Sequence, residues 1–135
     1  MAVLTTQRQR GIQPFTIALR AAIVALTLAT AAIHVTLGST LFLLNAIGYL
    51  VLVAAMVLPG PVARVRWLTR YALVGFTAVT VLAWLAFGAR FDLAYLDKGI
   101  EVALIGLVLI ESWVVDGGPV AVARRACRAA VSFVR

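Results

Sequence analysis

Apolar residues fill four long stretches of this chain, and short polar or glycine- and proline-rich segments separate them. Each stretch has roughly 17–23 residues, and a helix of that length, rising about 1.5 Å per residue, crosses or nearly crosses a bilayer core of about 30 Å. We therefore predict four membrane-spanning helices, at residues 15–37, 41–58, 71–88 and 99–115.

The connections between the predicted spans are short and contain residues that end helices. A tight turn at residues 38–40 follows the first span, and Pro59 and Pro61 end the second. Because short connections join antiparallel neighbours, the pattern predicts an all-α membrane protein built as an up-down bundle of four transmembrane helices. The rest of the chain is an N-terminal tail of residues 1–14 and a C-terminal tail of residues 116–135.

The basic residues are distributed unequally between the two sides of the predicted bilayer. Of the 12 lysine and arginine residues, only Arg90 and Lys98 lie at the connection between the third and fourth spans, and the others all lie on the opposite side. The positive-inside rule then places both termini in the cytoplasm. The excess of arginine over lysine and the compact loops indicate a bacterial cytoplasmic (inner) membrane.

Composition excludes a soluble domain. Hydrophobic residues make up 64% of the chain and charged residues 13%, whereas about a quarter of the residues of a soluble protein are charged. The net charge of +7 follows from the positive-inside asymmetry, so no nucleic-acid partner is expected. A cleaved secretion signal is the alternative for the first span, but the apolar run is longer than a usual signal core, which favours an anchored helix.

The C-terminal tail differs from the spans in its pattern. Asp116, two glycines and Pro119 break the fourth helix, and Pro119 is suited to begin a new one. Beyond it, apolar residues and arginines alternate with the period of an amphipathic surface helix. We expect this helix to contact anionic lipid head groups through Arg124, Arg125, Arg128 and Arg135. Docking to a partner subunit is the alternative for the same pattern.

Polar residues within the predicted spans fall on one face of each helix and at two depths. Near the outer boundary we predict a network of His34, Asn45 and Glu101. Near the inner boundary we predict that Glu111 pairs with Arg20 or with Arg70. Since polar side chains in a bilayer usually face the interior of the bundle, these faces are expected to meet.

The simplest interpretation of both layers is a structural role, with no cofactor and no metal. Haem or another pigment with His34 as the axial ligand remains open as an alternative, but the chain has one histidine only. A metal site of His34, Glu101 and an outer aspartate is chemically reasonable, although no ligand-spacing motif supports it. A proton path between Glu101 and Glu111 would need polar relay groups, and Leu104 and Val108 lie in that stripe instead.

No catalytic motif is present: the sequence has no glycine-rich phosphate loop and no His-Glu-x-x-His pattern, and we expect no enzyme. A ridge of small residues opposite the polar face of the first helix would let another helix approach closely. It consists of Ala21, Ala25, Ala29 and Ala32. Its partner is either a neighbouring helix of the same chain or another protein.

Two functions fit these features. The first is a non-enzymatic accessory or structural subunit of a larger membrane complex, for example an energy-transducing one, with the lipid bilayer and other membrane subunits as partners. The second is a small homo-oligomeric transporter or channel for ions or protons, in which His34, Glu101 and Glu111 act as coupling groups.

Overall fold

The structure is a computed structural model that describes the backbone of residues 2–133 and the side chains of residues 14–132. Within that range the chain is helical with short connections, and it contains no strand. Six helices follow one another: α1 (Ala2–Leu37), α2 (Thr40–Val57), α3 (Pro61–Arg64), α4 (Arg66–Phe87), α5 (Asp92–Asp116) and α6 (Pro119–Phe133).

Three of the described helices are long and apolar enough to cross a membrane. They comprise Pro14–Leu37 of α1, all of α2 and all of α4. Helix α5 has 25 residues, which is also long enough. By composition, however, it does not belong with the other three, because it carries more charged residues. These are Asp92, Asp97, Lys98, Glu101, Glu111 and Asp116.

The helix ends follow from local backbone chemistry. Helix α1 ends before Gly38, whose φ of 71° suits glycine, and Ser39 caps α2 by accepting a hydrogen bond from the Phe42 amide at 3.4 Å. Gly117 has a φ of 80° after α5. Pro119 is the first residue of α6, as the sequence predicts, because proline needs no amide hydrogen at that position.

The helices extend beyond the apolar stretches mainly at their N-terminal ends. Helix α1 begins at Ala2 and includes Pro14, α4 begins at Arg66, and α5 begins at Asp92. These additional turns carry polar and charged residues, and a hydropathy profile does not distinguish such turns from loops. The C-terminal ends of α1, α2, α4 and α5 lie within one residue of the ends of the predicted apolar stretches.

The four long helices pack in a ring. Helix α1 packs against α2 and α5, and α4 packs against the same two neighbours. The core contains buried apolar side chains from all four helices: Ile23, Tyr49, Met56, Leu73, Leu104 and Val108. Helices α1 and α5 therefore lie side by side, and this contact brings their polar faces together.

Charged side chains lie inside the ring beside the apolar core, and large apolar side chains lie on its surface. His34, Arg70, Glu101 and Glu111 are each at most 3% exposed, whereas large apolar side chains cover the outside, for example Phe87 at 93% exposed. An apolar exterior of this extent is compatible with contact with lipid or with another protein.

Candidate functional site

Two clusters of buried polar side chains lie at opposite ends of the helical ring. The first, which we term the outer cluster, is built on α1, α2 and α5 from Thr30, His34, Tyr49, Asp97, Lys98 and Glu101. The second, which we term the inner cluster, is built on α1, α4 and α5 from Arg20, Arg70, Glu111 and Asp116.

Helical spacing brings the residues of the outer cluster into register. Thr30 and His34 are four residues apart on α1, and Asp97 and Glu101 are four residues apart on α5. Residues at this spacing lie one above the other on the same face of a helix. Because α1 and α5 are neighbours in the ring, the two pairs face each other.

Each carboxylate of the outer cluster uses its two oxygens differently. Asp97 accepts a hydrogen bond from Thr30 Oγ1 at Oδ1 (2.7 Å), and its Oδ2 lies 3.1 Å from Lys98 Nζ. Glu101 accepts one from the Tyr49 hydroxyl at Oε1 (2.7 Å) and one from Lys98 Nζ at Oε2 (2.5 Å). One oxygen of each carboxylate therefore faces Lys98, and the other faces α1 and α2.

The hydrogen bonds of His34 determine which ring nitrogen carries the hydrogen. Nδ1 lies 2.8 Å from the carbonyl oxygen of Thr30, and because a carbonyl only accepts, Nδ1 is the donor. In the neutral ring Nε2 then keeps its lone pair, and it lies 3.9 Å from Glu101 Oε1. The ring packs against Phe42 and Tyr49, with 5.7 Å between centroids in each case, and is almost fully buried.

The structure brings His34 and Glu101 together but leaves Asn45 outside the outer cluster. Asn45 is half-buried, and its side chain makes no hydrogen bond among the described residues. Tyr49, one turn further along the same face of α2, reaches Glu101 instead. Its longer side chain spans the gap between α2 and α5, which the short amide does not. The sequence does contain a signal for this contact, because Tyr49 lies four residues after Asn45 and therefore on the same face of α2.

The inner cluster contains both of the arginine pairs that the sequence offered as alternatives. Arg20 contacts Glu111 Oε1 through Nη2 at 2.7 Å, and Arg70 contacts Oε2 through Nε at 3.0 Å. Arg70 also binds Asp116 Oδ2 through Nη1 at 2.7 Å. The sequence predicts only a helix break at Asp116, because five residues after Glu111 it does not share the helical face of that glutamate.

An apolar section separates the two clusters. Leu104 and Val108 are fully buried between Glu101 and Glu111 on α5. The hydroxyls of Thr27 and Thr77, at the same level, donate to carbonyl oxygens one turn back on their own helices, at 2.7 and 2.8 Å. Within the described residues, no hydrogen bond joins the outer cluster to the inner one.

The clusters differ in net charge. In the inner cluster Arg20 and Arg70 balance Glu111 and Asp116, and the exposed Arg125 of α6 adds a further positive charge 3.7 Å from Asp116 Oδ1. In the outer cluster Asp97 and Glu101 face one ammonium group, that of Lys98, so the net charge is −1 while His34 is neutral. Buried charge without a partner is costly, so with a neutral His34 the outer cluster is one positive charge short.

The other predicted surfaces are exposed. Ala21, Ala25 and Ala32 are exposed and Ala29 is half-buried, so the ridge points away from the rest of the chain. It borders an open apolar groove between α1 and α2 that Val24, Leu28 and Val57 help to line.

On α6 the arginines that the sequence assigns to lipid head groups are exposed over the described range: Arg124, Arg125 and Arg128. Arg135 lies outside the described residues. The opposite face of α6 is in contact with the protein at Val122, which is 6% exposed. Arg125 Nη1 also lies 3.7 Å from Asp116 Oδ1, so an apolar contact and an ion pair hold α6 against the inner end of the ring, while Arg124 and Arg128 are directed outward.

Comparisons with known proteins give no independent indication of function. No family model matches the sequence, and searches of curated proteins and of solved structures found no significant match.

Proposed function

We propose that this protein is an integral membrane protein with four membrane-spanning helices, with both termini in the cytoplasm of a bacterial cell, and that it acts as a non-enzymatic accessory subunit of a larger membrane complex. In this arrangement α1, α2, α4 and α5 cross the bilayer of the cytoplasmic membrane. Helix α6 lies on the inner surface with its arginines at anionic head groups.

The pairing of charges on α5 supports its assignment as the fourth span. A charged side chain is tolerated at membrane depth where it faces the protein interior and has a partner. Glu101 and Glu111 are both fully buried and are bound by Lys98 and by two arginines, respectively. A fourth crossing also leaves only Arg90 and Lys98 on the outer side, in agreement with the positive-inside rule.

The exposed alanine ridge of α1 is the observation that carries the subunit role. Small side chains allow two helices in lipid to approach closely and gain van der Waals contact. The ridge has no covering helix within the described chain, and its groove is lined mainly by apolar side chains. A transmembrane helix of a partner subunit is the occupant that fits such a surface.

The closed interior favours this role over transport. Within each cluster, the buried carboxylates are bound by side chains of the same cluster. The apolar section between the two clusters interrupts any relay of side chains from one to the other. An ion or proton pathway would need polar groups or water across that section. The proposed role uses the outside of the ring instead.

Purification from the native membrane in a mild detergent tests the proposal, with Ala25→Leu as the disruptive variant. The added side chain fills the ridge, so a stoichiometric partner should accompany the unaltered chain and be lost from Ala25→Leu. Ala83→Leu is the matched control, because Ala83 is an exposed alanine on α4, away from the ridge.

Two results would contradict the proposal. One is a chain that purifies without a partner, or with a partner that Ala25→Leu retains. The other is specific ion or proton flux by the purified chain in proteoliposomes that Glu101→Gln abolishes, which would identify a transporter.

A further inference from the structure

We propose that His34, Asp97 and Glu101 form a binding site for one divalent transition-metal ion, with zinc as the reference ion. The three residues belong to α1 and α5, near the outer end of the ring. One ligand atom from each residue, a ring nitrogen or a carboxylate oxygen, lies within 4.8 Å of the others. The proposal concerns the outer cluster alone and does not depend on the subunit role.

His34 and Glu101 face each other across the interface between α1 and α5. Nδ1 donates its hydrogen to the Thr30 carbonyl, so the Nε2 lone pair faces Glu101 Oε1 at 3.9 Å. In the neutral ring, both of these atoms are acceptors. A cation between these two atoms converts this unfavourable contact into two favourable ones.

The spacing of the two atoms fits a metal ion better than a shared proton. A hydrogen bond between nitrogen and oxygen needs a separation of about 2.7–3.2 Å. Two ligands of one tetrahedral zinc ion, each about 2.0–2.2 Å from the metal, are about 3.4 Å apart. The 3.9 Å between Nε2 and Oε1 lies closer to the second value.

The orientation of His34 is typical of a metal ligand. Histidines that bind metals almost always donate the other ring hydrogen to a carbonyl, a carboxylate or water, which holds the ring in place and makes the free nitrogen a better ligand. The Thr30 carbonyl has this role for His34. Thr30 and Tyr49 hold Asp97 and Glu101 in turn, through hydrogen bonds of 2.7 Å each. The three ligands therefore have supporting partners already in position.

Imidazole and carboxylate ligands define the class of ion. Nitrogen and oxygen ligands of this kind suit zinc and similar divalent transition metals, whereas calcium and magnesium prefer ligand sets made of oxygen only. Three protein ligands leave a fourth tetrahedral position for water. The net charge of −1 in the outer cluster favours an added cation.

Lys98 competes electrostatically with the ion. Its ammonium binds Asp97 Oδ2 and Glu101 Oε2, the oxygens that face away from His34, so it does not block the ligand atoms themselves. It lies within a few ångströms of the proposed ion, however, and repels it. Its side chain is 11% exposed, whereas the carboxylates of Asp97 and Glu101 are at most 2% exposed. Removing its charge should therefore strengthen metal binding.

Zinc titration of the purified full-length chain by calorimetry tests the site. The chain should carry a tag without histidines and the substitution Cys127→Ser, since Cys127 is an exposed thiol that would bind zinc on its own. We expect one zinc ion per chain and at least about tenfold weaker binding in His34→Gln. Asp92→Asn is the matched control, because it removes an exposed carboxylate from the same end of α5, and it should bind as tightly as the parent.

The outcomes separate a metal site from a structural or proton-binding cluster. Absence of saturable binding in the parent, or equal affinity in a folded His34→Gln variant, would overturn the proposal. If His34→Gln does not fold, Lys98→Gln decides the question, because unfolded protein cannot gain affinity. Binding about tenfold tighter than in the parent supports the site, and unchanged or weaker binding contradicts it.

Discussion

The carboxylate of Glu111 lies between the guanidinium groups of Arg20 and Arg70 and has no exposed surface. Moving such charges out of water costs several kcal/mol for each ion. Their mutual attraction and hydrogen bonds offset this cost only while every partner is present. The inner cluster therefore ties α1, α4 and α5 together, and loss of one member leaves a buried charge without a partner.

We predict that Glu111→Gln lowers the free energy of unfolding by about 3–5 kcal/mol, the usual effect of breaking a buried ion pair. The amide still accepts a hydrogen bond but no longer compensates Arg20 and Arg70. Denaturant titration in detergent micelles measures the change. Asp92→Asn, a change of the same type at an exposed position, should unfold like the parent chain. Equal stability of the two variants would show that the inner cluster does not hold the helices together.

At the scale of helices, Gly48 sets the distance between α2 and α4. A Cβ atom at this position would overlap the ring of Phe76 on α4. That ring packs edge-on against Tyr49, with 4.9 Å between centroids and an interplanar angle of 87°. Because Tyr49 in turn binds Glu101, this close approach also positions a side chain of the outer cluster.

We predict that Gly48→Ala destabilises the chain by about 1–3 kcal/mol, the usual range for overfilling a packed contact. Gly75→Ala is the matched control on α4, since nothing lies within 4 Å of a Cβ atom there. It should be neutral, or stabilising by about 0.4–1 kcal/mol, because alanine restricts the unfolded chain more than glycine. Thermal unfolding in detergent compares the two. A Gly48→Ala variant as stable as Gly75→Ala would contradict the role of this contact.

At the scale of the whole molecule, the number of membrane crossings depends on α5. Its length of 25 residues is sufficient, and its charges set it apart from the three apolar helices. The ring arrangement directs Asp97, Glu101 and Glu111 to the inside, where each has a partner. We therefore propose the fourth crossing even though mean hydropathy along α5 favours it less.

Cysteine labelling of intact cells distinguishes four crossings from three. Cys127 on α6 is exposed and is the only cysteine of the sequence. With four crossings, a membrane-impermeant maleimide should label Cys127 only after the cells are lysed. Asp92→Cys in a Cys127→Ser background should be labelled in intact cells, because Asp92 is exposed at the opposite end of α5. Labelling of both positions from the same side would mean that α5 does not cross the membrane.

The sequence by itself determined the helical architecture and the face of each helix that carries polar groups. Helix-ending residues and the period of apolar positions are local properties, so the turn at Gly38 and the new helix at Pro119 could be predicted. The charged turns at the start of α4 and α5 were missed because hydropathy detects only the apolar part of a helix.

Only the tertiary structure decided which polar groups meet. Helical periodicity gives the direction of a side chain around its own axis, but not the distance to a neighbouring helix or the reach needed to bridge it. For that reason Tyr49, rather than Asn45, binds Glu101, and Glu111 binds two arginines rather than one. Helical spacing already places Asp97 beside Glu101 on α5, and only the packing of α1 against α5 brought His34 to them.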